Sequence, residues 1–352
     1  IAGNEKIELG LQLFNNGGGI DEVRVYQNGK LVWSTGRGFQ NLTEDGALEQ
    51  VQFEATLLNG QNQFRAVAFN NERTESMHEL LAIDYKSPYQ PEADLYIVSI
   101  GINDYLNPAY RLNAAREDSR EFARAVAGRA KSIFRDIITL NVLDTMASAT
   151  NILAALDSVA GSARPNDVFM FYYAGHGAMA EATFVNGNEY YLIPWDVTQV
   201  YGDTEQLEEK ALAASELMMV SQRIQAQKQL IILDACQSGG AIKSFVNRGA
   251  GEQKAMMQLA RSAGVVLLAA SGSEEFAAEI SQLGHGVFTY ALLEALDGKA
   301  DGGLKDRKIT VNELKGYLED RVPQLTREFR GRAQYPTGYS RGQDFPIAIV
   351  NE

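Results

Sequence analysis

The sequence predicts two parts: a small all-β sandwich over residues 1–86 and, after a linker at 87–93, a three-layer α/β domain over 94–352 with a mostly parallel six-stranded sheet. Three observations lead there. Apolar residues alternate with period two before about residue 85 and form nearly unbroken runs after it. The later runs are separated by stretches of helical periodicity. Between the two regimes lies Ser87-Pro88-Tyr89-Gln90-Pro91, whose two prolines punctuate the chain.

In the first part, Ile7-Glu8-Leu9-Gly10-Leu11-Gln12-Leu13-Phe14, Val23-Arg24-Val25-Tyr26 and Val51-Gln52-Phe53-Glu54-Ala55 alternate as strands of an antiparallel sheet with one dry face do. Asn28-Gly29 and Asn59-Gly60 supply turn signals. Residues 57–68 resemble the penultimate hairpin of an immunoglobulin-like domain, although no Cys-Trp-Cys framework accompanies them. In the second part, the runs at 95–100, 137–142, 168–173, 230–233 and 265–269 are almost wholly apolar, as parallel strands covered on both faces are. A last run at 345–350 is expected at the sheet edge. Helices are expected at 113–126, 151–159, 215–226, 253–260 and 288–296, and Thr310 with Glu313 reads as a capping box opening another to about residue 318.

A net charge of -13 and a pI near 4.9 argue against a phosphate-binding surface, so nucleic acid is not an expected partner and basic peptides are. The single cysteine excludes an intramolecular disulfide, and no apolar run reaches the roughly 18 residues of a membrane span. With Ile1 rather than Met at the start and no signal sequence, we expect that upstream residues have been removed and that the chain works in a reducing cytoplasm.

The third and fourth apolar runs end in Tyr172-Tyr173-Ala174-Gly175-His176-Gly177 and Leu233-Asp234-Ala235-Cys236-Gln237-Ser238-Gly239-Gly240. In a parallel sheet both ends lie at one edge, which brings an imidazole to a thiol despite their distance along the chain. A free thiol has a reference pKa near 8.5, so a histidine that takes its proton makes it a nucleophile. Amide attack also creates an oxyanion, and the backbone N–H groups of Gly177 and Cys236 offer donors with little obstruction. Two other thiol or phosphate chemistries fail: a cysteine phosphatase needs an arginine where Ile242 stands, and a P-loop needs a glycine before Lys243. One cysteine and three histidines do not make the paired spacings of a zinc site. The bland alternatives are a small core cysteine and a hydrogen-bonded structural histidine.

These two motifs, together with Gly284-His285-Gly286-Val287-Phe288-Thr289-Tyr290-Ala291-Leu292-Leu293, resemble those of bacterial caspase-like peptidases, the metacaspase and orthocaspase group. The resemblance runs from about Asp94 to the C-terminus. It implies the caspase fold and a cysteine endopeptidase with Cys236 as nucleophile, His176 as base and then acid, Gly177 and the Cys236 amide as oxyanion hole, and no organic cofactor. CHAT peptidases share the Cys-His logic, but the Gly-His-Gly-Val-Phe-Thr segment fits the caspase-like branch better.

Period two puts Asp234 on the strand face of Cys236. The resemblance implies that an aspartate at this position selects Arg or Lys, where caspases that cut after aspartate carry glutamine, and charge-assisted hydrogen bonds to a guanidinium or ammonium agree. Asp118 resembles a second pocket aspartate of metacaspases, with a solvated helix-face acid as the alternative. For Asp234 the alternative is an acid that orients its loop. Ser271 and Ser273, by resemblance, line a substrate-binding loop. His285 rivals His176 for the imidazole role but precedes a helix, where it is expected to contact the capping turn. His78 lies in the β-rich part.

Residues 196–209 carry Asp203, Glu205, Glu208 and Glu209 and are expected as a mobile lid. Lys243, Arg248 and Lys254 follow the nucleophile strand and are candidate self-cleavage sites for an enzyme that prefers basic residues. Calcium activates some metacaspases. An EF-hand register with Ile309 and Glu313 at positions eight and twelve puts Gly302 at the first ligand and Arg307 at the glycine turn, so no metal is indicated. The competing account is a latent scaffold whose β domain binds a regulatory protein.

Overall fold

The computed structural model describes residues 5–36, 39, 46, 48–87, 92–182, 187–200, 204–237, 256–257, 260, 265–270, 279–280, 283–303, 305–340 and 343–350. The chain divides into two compact units, Ile1–Glu92 and Ala93–Glu352.

The first unit contains strands β1 (Lys6–Phe14), β2 (Glu22–Gln27), β3 (Lys30–Ser34), β4 (Leu48–Thr56), β5 (Gly60–Phe69) and β6 (Glu79–Tyr85). They form two antiparallel sheets, β1-β4 and β3-β2-β5-β6. Asn28 and Gly29 both have positive φ, 53° and 91°, which is the two-residue turn that joins β2 to β3 with matched twist. Phe53 and Ala55 of one sheet pack on Val25, Phe64 and Tyr85 of the other, and Trp33 stacks on Phe53 at 5.3 Å. Residues 57–68 are not a hairpin. β4 pairs with β1 while β5 pairs with β2 and β6, so Leu57 to Asn59 cross between sheets, held by Asn62 Oδ1, which accepts the Leu58 N–H at 2.8 Å.

The second unit contains, in chain order, β7 (Leu95–Gly101), α1 (Ala115–Arg129), β8 (Ile137–Leu143), α2 (Ala149–Ala160), β9 (Val168–Ala182), β10 (Gly187–Ile193), α3 (Thr204–Lys210), β11 (Leu212–Ala213), α4 (Ala214–Arg223), β12 (Lys228–Gln237) and β13 (Val266–Ala269). There follow β14 (Glu279–Ile280), β15 (His285–Gly286), α5 (Val287–Glu294), β16 (Lys308–Thr310), α6 (Val311–Arg330), β17 (Thr337–Tyr339) and β18 (Pro346–Ile349). Five strands run parallel in the order β8-β7-β9-β12-β13. The full sheet has eight strands rather than six, because β9 continues past the buried run and pairs antiparallel with β10, which carries β11, while β17 pairs antiparallel with β13. The run near 345–350 is β18, and it pairs with β16 in a separate two-stranded sheet.

Side chains leave the buried strands alternately toward two cores. Tyr96, Val98, Phe169, Phe171, Ile231 and Leu267 meet Ile152 and Leu156 of α2 and Leu217 and Val220 of α4. Leu95, Ile97, Met170, Tyr172, Ile232 and Leu268 meet Phe122 and Val126 of α1, with α5 and α6 beyond. Both faces are dry, which is why these runs read as unbroken apolar text. The capping box is present, and α6 extends well past residue 318 because Leu318, Val322 and Leu325 keep the apolar period to a stop at Gly331, φ 73°. Residues 204–209 of the expected lid lie in α3, anchored by buried Leu207, and Asp203 lies outside the described residues. Among the described residues no helix is long and apolar enough to cross a membrane.

Phe122 stacks on Tyr172 at 4.6 Å and 19°, both buried, and fixes α1 to the sheet. Phe122→Ala is expected to cost about 3–5 kcal/mol in a denaturant melt, through lost burial and the void it leaves.

Candidate functional site

The parallel ladder between β9 and β12 runs without a shift from Lys228 opposite Val168 to Gln237 opposite Gly177, and in it Cys236 lies opposite His176. Residues paired in adjacent strands have backbones about 5 Å apart. On its other edge β9 changes neighbour. Parallel β7 ends at the pair Gly101–Ala174, and antiparallel β10 begins at the pair Ile193–His176. His176 therefore sits where the sheet forks.

Three tyrosines set the histidine. The His176 N–H donates to Tyr105 Oη at 2.8 Å, and Tyr173 Oη donates to the His176 carbonyl at 2.9 Å. The imidazole lies beside the Tyr105 ring, 4.9 Å between centroids, and edge-on to Tyr110 at 5.9 Å. Its Nε2 is 2.7 Å from the Tyr110 carbonyl oxygen. A carbonyl only accepts, so Nε2 carries the proton and, in the neutral ring, Nδ1 is the basic nitrogen. The neighbouring glycines are needed for space: a Cβ on Gly175 would lie 2.7 Å from Tyr105 Oη, and one on Gly177 only 2.0 Å from Tyr190 Oη.

Tyr105 and Tyr110 belong to the segment between β7 and α1, whose irregular backbone needs outside partners. Asp144, at the end of β8, accepts the Asn103 and Asp104 N–H groups at 2.9 and 3.1 Å and Arg116 Nη1 at 3.0 Å. Asn107 Nδ2 donates to the Thr198 carbonyl at 2.8 Å, and Val200 N–H donates to Tyr110 Oη at 3.2 Å. Burial pushes the Asp144 carboxyl up, but the two backbone donors and the guanidinium outweigh it and hold the group below 3.8.

The second constellation gathers around Gly286. Asp118 lies on the inner face of α1 with Ala115, Ser119 and Phe122, only 2% exposed, so it is not a solvated helix-face acid. Its Oδ2 accepts the Gly286 N–H at 3.0 Å, and its Oδ1 is 2.6 Å from His285 Nδ1. Asp234, 7% exposed, accepts from Thr289 Oγ1 at 2.6 Å, which obliges Tyr172 Oη, 2.6 Å from the same oxygen, to donate to it. A Cβ on Gly286 would stand 3.1 Å from Asp118 Oδ2 and 3.3 Å from Asp234 Oδ2, so the two carboxylates converge on one point. His285 is engaged by Asp118 rather than by a capping turn, and that hydrogen bond raises its pKa above 6.5 against the opposing effect of burial.

The structure thus brings Cys236 opposite His176 and Asp118 beside Asp234. His78 is exposed in the first unit. Ser271, Ser273, Lys243, Arg248 and Lys254 lie outside the described residues. Tyr105, Tyr110, Tyr172, Tyr173 and Thr289 were not anticipated, although Tyr105 and Tyr110 follow β7 at the carboxyl edge, where sites in such sheets form. Among the described residues no three His, Cys, Asp or Glu side chains group as a metal site.

The parallel sheet lies between two helical layers, forks at His176 and carries the histidine and cysteine motifs at one edge. The family model for the caspase domain matches residues 96–344, and the chain belongs to that family, whose substrates are proteins. A search of curated proteins found no match. Among solved structures the chain is similar to a protein from Geobacter sulfurreducens, at 18% identity over 71% of this chain and 94% of that one, TM-score 0.47. It is also similar to Raptor from Chaetomium thermophilum, at 16% identity over 58% of this chain and 18% of that one, TM-score 0.34. The fibronectin(III)-like modules of Clostridium thermocellum CbhA match at 17% identity over 25% of this chain and 84% of theirs, TM-score 0.20. Assignment to the family rests on the family model.

Because the folded Asp144 carboxyl is held low, its stabilising contribution is present above pH 3.8 and is lost as pH falls through the folded value. Asp144→Asn is therefore expected to lower the unfolding free energy at pH 7 and to make little difference near pH 2, measured by urea titration at both.

Proposed function

We propose that this chain is a cysteine endopeptidase of the metacaspase and orthocaspase group that cleaves after Arg or Lys, with Cys236 as nucleophile and His176 as its base. The observation that carries this reading is the ladder position of Cys236 directly opposite His176 at the fork of the sheet. The Tyr110 carbonyl holds the Nε2 proton, so Nδ1 is the nitrogen left to take the thiol proton. The thiolate attacks the peptide carbonyl carbon, and the oxyanion formed is held by the Cys236 and Gly177 N–H groups. The imidazolium returns its proton to the leaving amine. Water, deprotonated by the same ring, then hydrolyses the thioester and frees the thiol.

Basic specificity is supported by the convergence of Asp118 and Asp234 on Gly286. Two buried carboxylates with fixed donors favour a cation between them, and a guanidinium meets such oxygens with two parallel N–H bonds. We read the first unit as an immunoglobulin-like module that binds a regulatory protein, a reading supported by its exposed Met77, Leu80 and Leu81.

Arginyl and lysyl peptide reporters should be hydrolysed by the wild-type chain and not by Cys236→Ala or His176→Ala. Asp234→Asn should lower kcat/KM on them by about 10- to 100-fold, mostly through KM, as loss of one charge-assisted hydrogen bond predicts. Equal turnover of aspartyl reporters would overturn the specificity.

A further inference from the structure

We propose that His285 is a specificity-determining residue: protonated, it is the resident cation of the Asp118/Asp234 pocket, and it competes with the basic side chain of a substrate for Asp118. This rests on the basic-residue preference proposed above and assigns that pocket a built-in competitor.

The geometry carries it. His285 Nδ1 lies 2.6 Å from Asp118 Oδ1, and the side chains of the pair are 22% and 3% exposed, so the imidazole is the more solvent-exposed partner of a buried carboxylate. The other oxygen of Asp118 is occupied by the Gly286 N–H, so a guanidinium that approaches this carboxylate meets the His285 ring at one oxygen and backbone at the other. Asp234 is tied on one oxygen through Thr289 to Tyr172. Among the described residues β15 pairs only with β14, Gly286 with Glu279 and His285 with Ile280, and Gly284, just before β15, has φ 71° and open space where a Cβ would stand. A segment of this kind can draw its ring back without disturbing α5, which begins at Val287.

Among the described residues the charges that act on the ring are carboxylates, of which Glu117 is paired with Arg116 and Arg120 and Glu121 with Arg124. From α1 come Asp118, Glu117 and Glu121, from β12 Asp234, and from β9 Tyr172, whose hydroxyl burial keeps protonated. Their field favours imidazolium, in keeping with a pKa raised above 6.5 by the Asp118 hydrogen bond first and, against the effect of burial, by the charges of Asp118, Glu121 and Glu117. Protonation of His285 and binding of a second cation at Asp118 are then antagonistic, and by linkage each weakens the other equally. Acid pH fills the pocket from within. As pH rises through the folded value, the ring becomes neutral and the pocket gains one net negative charge.

The test is equilibrium binding of an uncleaved arginyl peptide to Cys236→Ser, which removes the nucleophile from the titration. Between pH 6 and pH 9 the affinity should rise by about tenfold, the equivalent of one pKa unit of coupling. In Cys236→Ser/His285→Asn the affinity should be flat over the same range, with His285→Gln as a second neutral variant and thermal melts to confirm folding. An equal rise with and without His285 would overturn the inference while leaving the basic preference intact. Wild-type hydrolysis of no arginyl or lysyl reporter would overturn the preference first and the inference with it.

Discussion

Everything at the proposed centre hangs on the hydrogen-bonded ladder between β9 and β12. Backbone pairing in a sheet is quantised: a residue is opposite one partner or the next, with no intermediate position. Ten consecutive pairs hold this ladder, anchored by side chains that bury themselves alternately in two cores, so the position of Cys236 against His176 is fixed by far more free energy than either residue supplies. The chemistry needs no loop to fold correctly for that one relation.

Orientation is a separate matter, and a second layer of the structure provides it. Strand pairing puts a histidine in place but leaves its ring free to turn. Tyr105, Tyr110 and Tyr173 remove that freedom with one backbone donor, one backbone acceptor, one ring nitrogen and two ring contacts. The segment that carries two of them is tied in turn to Asp144 and to residues 198–200. A polar network of this kind links the rim of β8 to the imidazole through the segment between β7 and α1.

Much of this was legible in the amino-acid text. Unbroken apolar runs named the five parallel strands, since a strand buried on both faces has no polar side to display. His176 and Cys236 stood out because each closes such a run. What stayed hidden has a physical reason. The extension of β9 beyond His176 reads as Gly177-Ala178-Met179-Ala180, small residues without strand character, and only the antiparallel partner β10 makes a strand of them. The run at 345–350 carries the right pattern for an edge strand, but pattern does not choose a partner, and it joined β16. The crossover at Leu57 to Asn59 runs into the turn dipeptide Asn59-Gly60 and so imitates a hairpin. Asp118 could be placed on a helix but not on its inner face, because a buried carboxylate reads like any surface acid until its donors, the Gly286 amide and the His285 ring, are known.

Downstream of the fork at His176, β9 is gripped on one side by an antiparallel arm, β10 with β11, that takes no part in the parallel layer. Length can be added at the far tip of that arm with little effect on the layered body, whereas losing a single residue from β12 upstream of Cys236 would carry the sulfur-bearing position about 3.3 Å along its neighbour, a full rung.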